Sequence, residues 1–173
     1  MNSASQSFRH TVRYSYGNRS GTIAKDVANG TTWAVPVAFM NDIPNSTSAS
    51  GRIYVDTYDA FSRLVGTKYT GFTVTVPASV KPSCTFTLDY ITGVDSIYGS
   101  PVKGLSKIKV TVNAQTAYSS PIDTCRIVAN GAAYSGTTAT TGVLKQSGNS
   151  VVTATVTDAR GRSGSVSYTM NVQ

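Results

Sequence analysis

Residues able to do nucleophilic or acid–base chemistry are scarce in this 173-residue chain. The single histidine is His10, the two cysteines are Cys84 and Cys125, and all eight carboxylates are aspartates, with no Glu. A Ser-His-Asp or Cys-His site would have to be built around His10 alone. That residue lies in Phe8-Arg-His-Thr-Val-Arg-Tyr-Ser-Tyr16, whose period-2 alternation predicts a strand with Phe8, His10, Val12, Tyr14 and Tyr16 on its buried face. His10 is therefore expected as a hydrogen-bonded wall residue and not as a general base, which needs an oriented partner. No catalytic residue is assigned.

Metal and carboxylate chemistry fare no better. One His and two Cys without a ligand pair at short spacing cannot make a four-ligand zinc site, and no D-x-D-x-D-G-like loop offers calcium its converging oxygens. Asp56 and Asp59 are the nearest pair for a two-carboxylate glycosidase, but Asp59 reads as a turn residue at a strand end. No metal and no cofactor are expected. Cys84 and Cys125 read as two buried thiols that pack as small hydrophobes. The polar start of the sequence carries no signal peptide, which would otherwise favour their pairing. The Asn-x-Ser/Thr sequons at Asn18, Asn29 and Asn45 follow from the abundance of those residue types.

The elements that would position any site are strands. Val occurs 20 times, Tyr 10 times and Ser plus Thr 46 times, whereas Leu occurs only four times. β-branched and aromatic strand formers thus replace the straight-chain helix formers. No apolar run approaches the ~20 residues that cross a bilayer as a helix, so no membrane insertion is expected. The net charge of +7 is spread evenly: seven basic groups and four aspartates in 1–76, the same numbers in 83–173, and Lys81 between. An even spread reads as a solvated surface, and without a basic arm or an RNP-like aromatic motif no nucleic-acid partner is expected.

Alternation and turn signals place strands near 8–16, 21–26, 31–37, 51–58, 63–68 and 70–76, then 84–90, 107–112, 124–129, 132–135, 143–145, 151–158 and 163–172. Pro36–Pro44 reads as a single helical turn. Pro77-Ala-Ser-Val-Lys-Pro82 reads as a linker, because its two prolines resist sheet pairing. Phe72–Val76 matches Tyr168–Val172, and each follows a hairpin opened by Asp-Ala, at Asp59 and at Asp158. Short strands with turns every 8–12 residues, in two related halves, predict an all-β chain of two tandem immunoglobulin-like antiparallel β-sandwich domains, 1–76 and 83–173, joined by the linker 77–82.

Four segments resemble a known family. Ser15-Tyr-Gly-Asn-Arg-Ser-Gly-Thr-Ile-Ala24, Ile43-Pro-Asn-Ser-Thr-Ser48 and Gly71-Phe-Thr-Val-Thr-Val-Pro-Ala-Ser-Val80 lie in the first half. Val152-Thr-Ala-Thr-Val-Thr-Asp-Ala-Arg-Gly-Arg-Ser163 lies in the second. Together they are similar to minor structural proteins from the tails of siphophages that infect Gram-positive bacteria such as streptococci. The resemblance implies a non-enzymatic fragment of a longer tail protein, located on the virion and assembled in the host cytoplasm. It would act as a spacer or decoration, with a part in host cell-surface adsorption. Its partners would be other tail proteins and an anionic cell-wall glycopolymer, with oligomerisation set by the parent protein. The alternative is a carbohydrate-binding adhesin domain recognising a Gram-positive wall polysaccharide.

For either contact the candidate residues are Tyr54, Tyr58 and Arg52, with Asp56 beside them, since Tyr offers a flat apolar face and a hydrogen-bonding tip. The simpler reading is that tyrosines fill these positions because strands favour them. Trp33 is expected as a core anchor.

Overall fold

The computed structural model describes residues 7–91 and 95–173. It is an all-β chain with antiparallel sheets, dividing into two compact units, Met1–Val76 and Pro77–Gln173.

Unit 1 is one four-stranded sheet in the order β2-β1-β3-β4, built from β1 (Arg9–Tyr16), β2 (Arg19–Val27), β3 (Ser48–Tyr58) and β4 (Leu64–Thr75). Gly17, at φ 54°, opens the two-residue turn between β1 and β2, where a type II′ hairpin wants glycine first. Alternation puts Tyr14, Tyr16, Ile53 and Phe72 on one face and Arg13, Arg52, Tyr54, Asp56 and Tyr69 on the other.

The first of these faces is covered by a 3₁₀ turn, Val37–Asp42, which lies where a single helical turn is expected. The turn drops Phe39 onto the sheet. Tyr16 stacks on Phe39 at 4.8 Å and 7°, and Tyr14 stacks on Trp33 at 4.8 Å. Trp33 meets Phe72 edge-on at 5.7 Å. Gly51 makes this packing possible: a Cβ there would sit 2.4 Å from the Phe72 ring and 2.9 Å from the Ser15 carbonyl oxygen.

Two strand expectations need correction here. Residues 31–37 form no strand, because Trp33 is drawn onto the sheet face as a ring and not into a ladder. The two short strands placed at 63–68 and 70–76 are one continuous β4.

Unit 2 is a two-sheet sandwich. One sheet has the order β11-β10-β7-β8 and the other β5-β6-β9. The strands are β5 (Ser83–Tyr90), β6 (Ile108–Gln115), β7 (Ile122–Ala129), β8 (Ala132–Ser135), β9 (Thr138–Thr140), β10 (Gly148–Asp158) and β11 (Ser163–Val172). A four-residue helix, Asp95–Tyr98, lies between β5 and β6.

Strict alternation builds the core of unit 2: Ile108, Val110 and Val112 of β6 face Cys125, Ile127 and Ala129 of β7, and Val152, Ala154 and Val156 of β10. Lys107 and Lys109 are exposed. Asn130 and Gly131, at φ 52° and 73°, form the turn from β7 to β8 that Asn-Gly favours. Cys125 is buried and Cys84 half-buried, and both are free thiols. Burial pushes both thiols above their ordinary range.

The strand placed at 143–145 is instead an irregular segment. It buries Leu144, whose amide donates to the Ser106 carbonyl at 2.9 Å. The three-residue β9 takes the neighbouring sheet position.

The segment 77–82 is not a free linker but part of unit 2. Arg162 donates to the carbonyls of Pro77 and Val80, at 2.5 and 2.9 Å. The Pro82 carbonyl oxygen lies 2.0 Å from where a Cβ on Gly164 would be.

Candidate functional site

The outward face of the unit 1 sheet carries the densest set of polar and aromatic side chains among those singled out in the sequence. Arg13 of β1 lies opposite Tyr54 of β3, which lies opposite Tyr69 of β4. Cross-strand neighbours on one face of a sheet are close enough to touch. Here the Arg13 guanidinium sits 5.0 Å over the Tyr54 ring, Tyr54 meets Tyr69 at 5.9 Å, and Arg52 lies 4.8 Å over Tyr69. The result is a row of two tyrosines, each with an arginine over its ring.

Asp56 anchors the row. It is buried and receives Arg13 Nε at 2.5 Å, Arg13 Nη2 at 3.0 Å and the Thr67 hydroxyl at 2.6 Å. The Arg13 hydrogen bond, reinforced by that of Thr67, holds its carboxyl below the usual carboxylate range. The charge of Arg13 is thereby matched within the unit. No carboxylate among the described residues pairs with Arg52, so Arg52 carries the uncompensated charge of the row. A flat apolar–aromatic surface with one free guanidinium can stack on a sugar ring while pairing with an anion.

The three sequence candidates are not all brought together. Arg52 and Tyr54 join the same row, bridged by Tyr69. Tyr58 lies past a register shift at Thr57/Tyr58. It lines a separate cleft of about 330 Å³ with Arg9, Thr11, Asp26 and Asp59. Sequence reasoning missed Tyr69 and Arg13. The signal for Tyr69 was its odd-numbered phase with Thr67 and Gly71, which the break placed at 68–70 obscured.

The other residues with chemical potential have structural roles. His10 Nδ1 is 2.9 Å from Thr57 Oγ1. Asp59 Oδ1 accepts the amides of Phe61 and Arg63 at 2.9 and 3.0 Å. In the Asp-Ala-Arg-Gly-Arg stretch, Asp158 Oδ1 accepts the amides of Arg160 and Arg162 at 3.0 and 2.9 Å. Arg160, buried, donates to the carbonyls of Ala117 and Tyr118 at 2.9 and 2.6 Å. The motif thus clamps backbone segments together. Among the described residues no group of three or more His, Cys or Asp side chains could hold a metal ion, and no helix is long and apolar enough to cross a membrane.

A family described as siphovirus protein of unknown function (DUF859) matches residues 1–172. The chain belongs to this siphovirus family. No curated protein matches it. Among solved structures, the fibronectin(III)-like modules of Clostridium thermocellum CbhA are similar at 15% identity and a TM-score of 0.43, over 100% of this chain and 82% of that one. The chain is thus a siphovirus protein, and its described residues form antiparallel β-sheets.

Proposed function

We propose that this siphovirus protein is a non-enzymatic structural module of the phage tail, a spacer or decoration within a longer tail protein. In this reading unit 1 also presents a weak contact for the host surface. The observation that carries the phage assignment is the family match over 1–172. The contact reading is supported by the row Arg13–Tyr54–Tyr69–Arg52 and its uncompensated guanidinium.

The ligand chemistry that suits such a row is an anionic glycopolymer of a Gram-positive wall: sugar faces stack on Tyr54 and Tyr69, and a phosphate or carboxylate pairs with Arg52. Tyr58 offers a second polar contact from its cleft. Many copies on a particle would turn a weak contact into useful avidity. Antibodies raised against the chain are expected to label the tails of purified particles by immunogold microscopy. Particles that carry none of the chain would overturn the structural reading.

A further inference from the structure

The tetrapeptide Val-Ala-Asn-Gly occurs twice, at 27–30 and at 128–131, and the fold treats the two copies differently. An asparagine side chain closes most readily on its own backbone when glycine follows, because glycine has no Cβ to crowd the next amide. Asn130 is held against this. It lies with Gly131 in the two-residue turn closed by the Ala129–Ala132 pair. Its Nδ2 donates to the Val143 carbonyl at 3.0 Å and its Oδ1 accepts the Lys145 amide at 3.0 Å. Swinging its Cγ onto the Gly131 nitrogen would break both hydrogen bonds. Asn29 has no such restraint. It follows the end of β2 in a run, 28–32, that is exposed throughout and joins no ladder. Among the described residues neither its side chain nor the Gly30 amide has a hydrogen-bond partner. Beyond the chain neighbours, no heavy atom lies within 4 Å of where a Cβ on Gly30 would be.

We propose that Asn29-Gly30 is a site of spontaneous deamidation through a succinimide, and that its hydrogen bonds keep Asn130-Gly131 from the same reaction. Hydroxide takes the Gly30 amide proton, and the Gly30 nitrogen attacks Cγ of Asn29. The N–Cγ bond forms and the Cγ–Nδ2 bond breaks. Nδ2 leaves as ammonia with a proton drawn from water, which restores the hydroxide. Water then opens the succinimide ring at either carbonyl, giving an aspartyl or an isoaspartyl residue. One water is consumed and one ammonia released, with no oxidant or reductant, so solvent is the only co-reactant. The product puts a carboxylate where a neutral amide stood and lowers the net charge of +7 by one. The isoaspartyl form also lengthens the backbone between β2 and Trp33 by a methylene, in an exposed connection of the kind that tolerates insertion. Because the two tetrapeptides are identical, their surroundings in the fold decide which one reacts.

The test is incubation of the full chain in heavy-oxygen water at mildly alkaline pH, followed over time by peptide mapping with mass spectrometry. The expected result is label entering at Asn29 many-fold faster than at Asn130. In denaturant the hydrogen bonds of Asn130 are gone, and the two asparagines are expected to react at similar rates. Gly30→Val crowds the attacking nitrogen with a branched side chain. It is expected to slow the reaction at Asn29 several-fold and leave Asn130 unchanged. An Asn29 no faster than Asn130 in the folded chain, or one indifferent to Gly30→Val, overturns the proposal. So does an Asn130 that stays slow in denaturant, since its hydrogen bonds would then not be what protects it.

Discussion

Asp56 is the residue on which the outward face of unit 1 is assembled, because it fixes Arg13 from β1 and Thr67 from β4 around one buried carboxylate. Its folded-state pKa is lowered, so its contribution to stability is present above the ordinary carboxylate range and is lost as pH falls through the lowered value. Asp56→Asn is therefore expected to melt below the parent at neutral pH, with the gap closing between about pH 5 and about pH 2. Thermal melts across that range check this, and a gap that stays constant contradicts it. Arg160 makes the matching point in unit 2. Its guanidinium binds two backbone carbonyls, so Arg160→Met is expected to cost about 1–3 kcal/mol in unit 2 while leaving wall binding unchanged. Denaturant titration of both chains measures the first, and sedimentation with walls the second.

The two Asp-Ala hairpins show how an element can be read in advance. In each turn the Asp amide donates to the Arg carbonyl four residues on, and the residue three on donates back to the Asp carbonyl. In each, the Asp side chain accepts two further amides. The third residue past Asp has positive φ in both turns: Ser62 at 60° and Gly161 at 78°. That conformation strains a side chain and suits glycine. Ser62→Gly is expected to stabilise unit 1 by about 0.5–1 kcal/mol, and Gly161→Ala to destabilise unit 2 by about 1 kcal/mol. Paired denaturant melts that moved both the same way would refute the shared geometry.

The hairpins, β8 and β11 were legible because their residues alternate cleanly between turn signals. The segment around Trp33 was not, since an aromatic residue packs equally well on a strand or laid over one. β9 was too short to carry a period. Of the row on the outward face of unit 1, the shared face of Arg52 and Tyr54 was legible from the alternation in β3. Tyr69 was hidden in a strand exposed on nearly all positions, and Arg13 drew no notice because its partner Asp56 is distant in sequence.

At the scale of the whole chain, we propose that the two compact units unfold as separate transitions, each held by its own packing. Leu88 packs against the unit 2 core, so Leu88→Ala is expected to lower the melting of unit 2 by about 2 kcal/mol or more and leave unit 1 untouched. Hydrogen exchange resolved by unit checks this, and equal loss in both would contradict it. The proposed contact on the outward face of unit 1 is tested by binding of a multimerised, fluorescent form of the chain to purified Gram-positive walls over a salt series. Saturable binding is expected, weakening as salt screens Arg52 and dropping sharply in Arg52→Ala and Tyr54→Ala. Binding indifferent to both substitutions, or no binding at any salt, would contradict the contact.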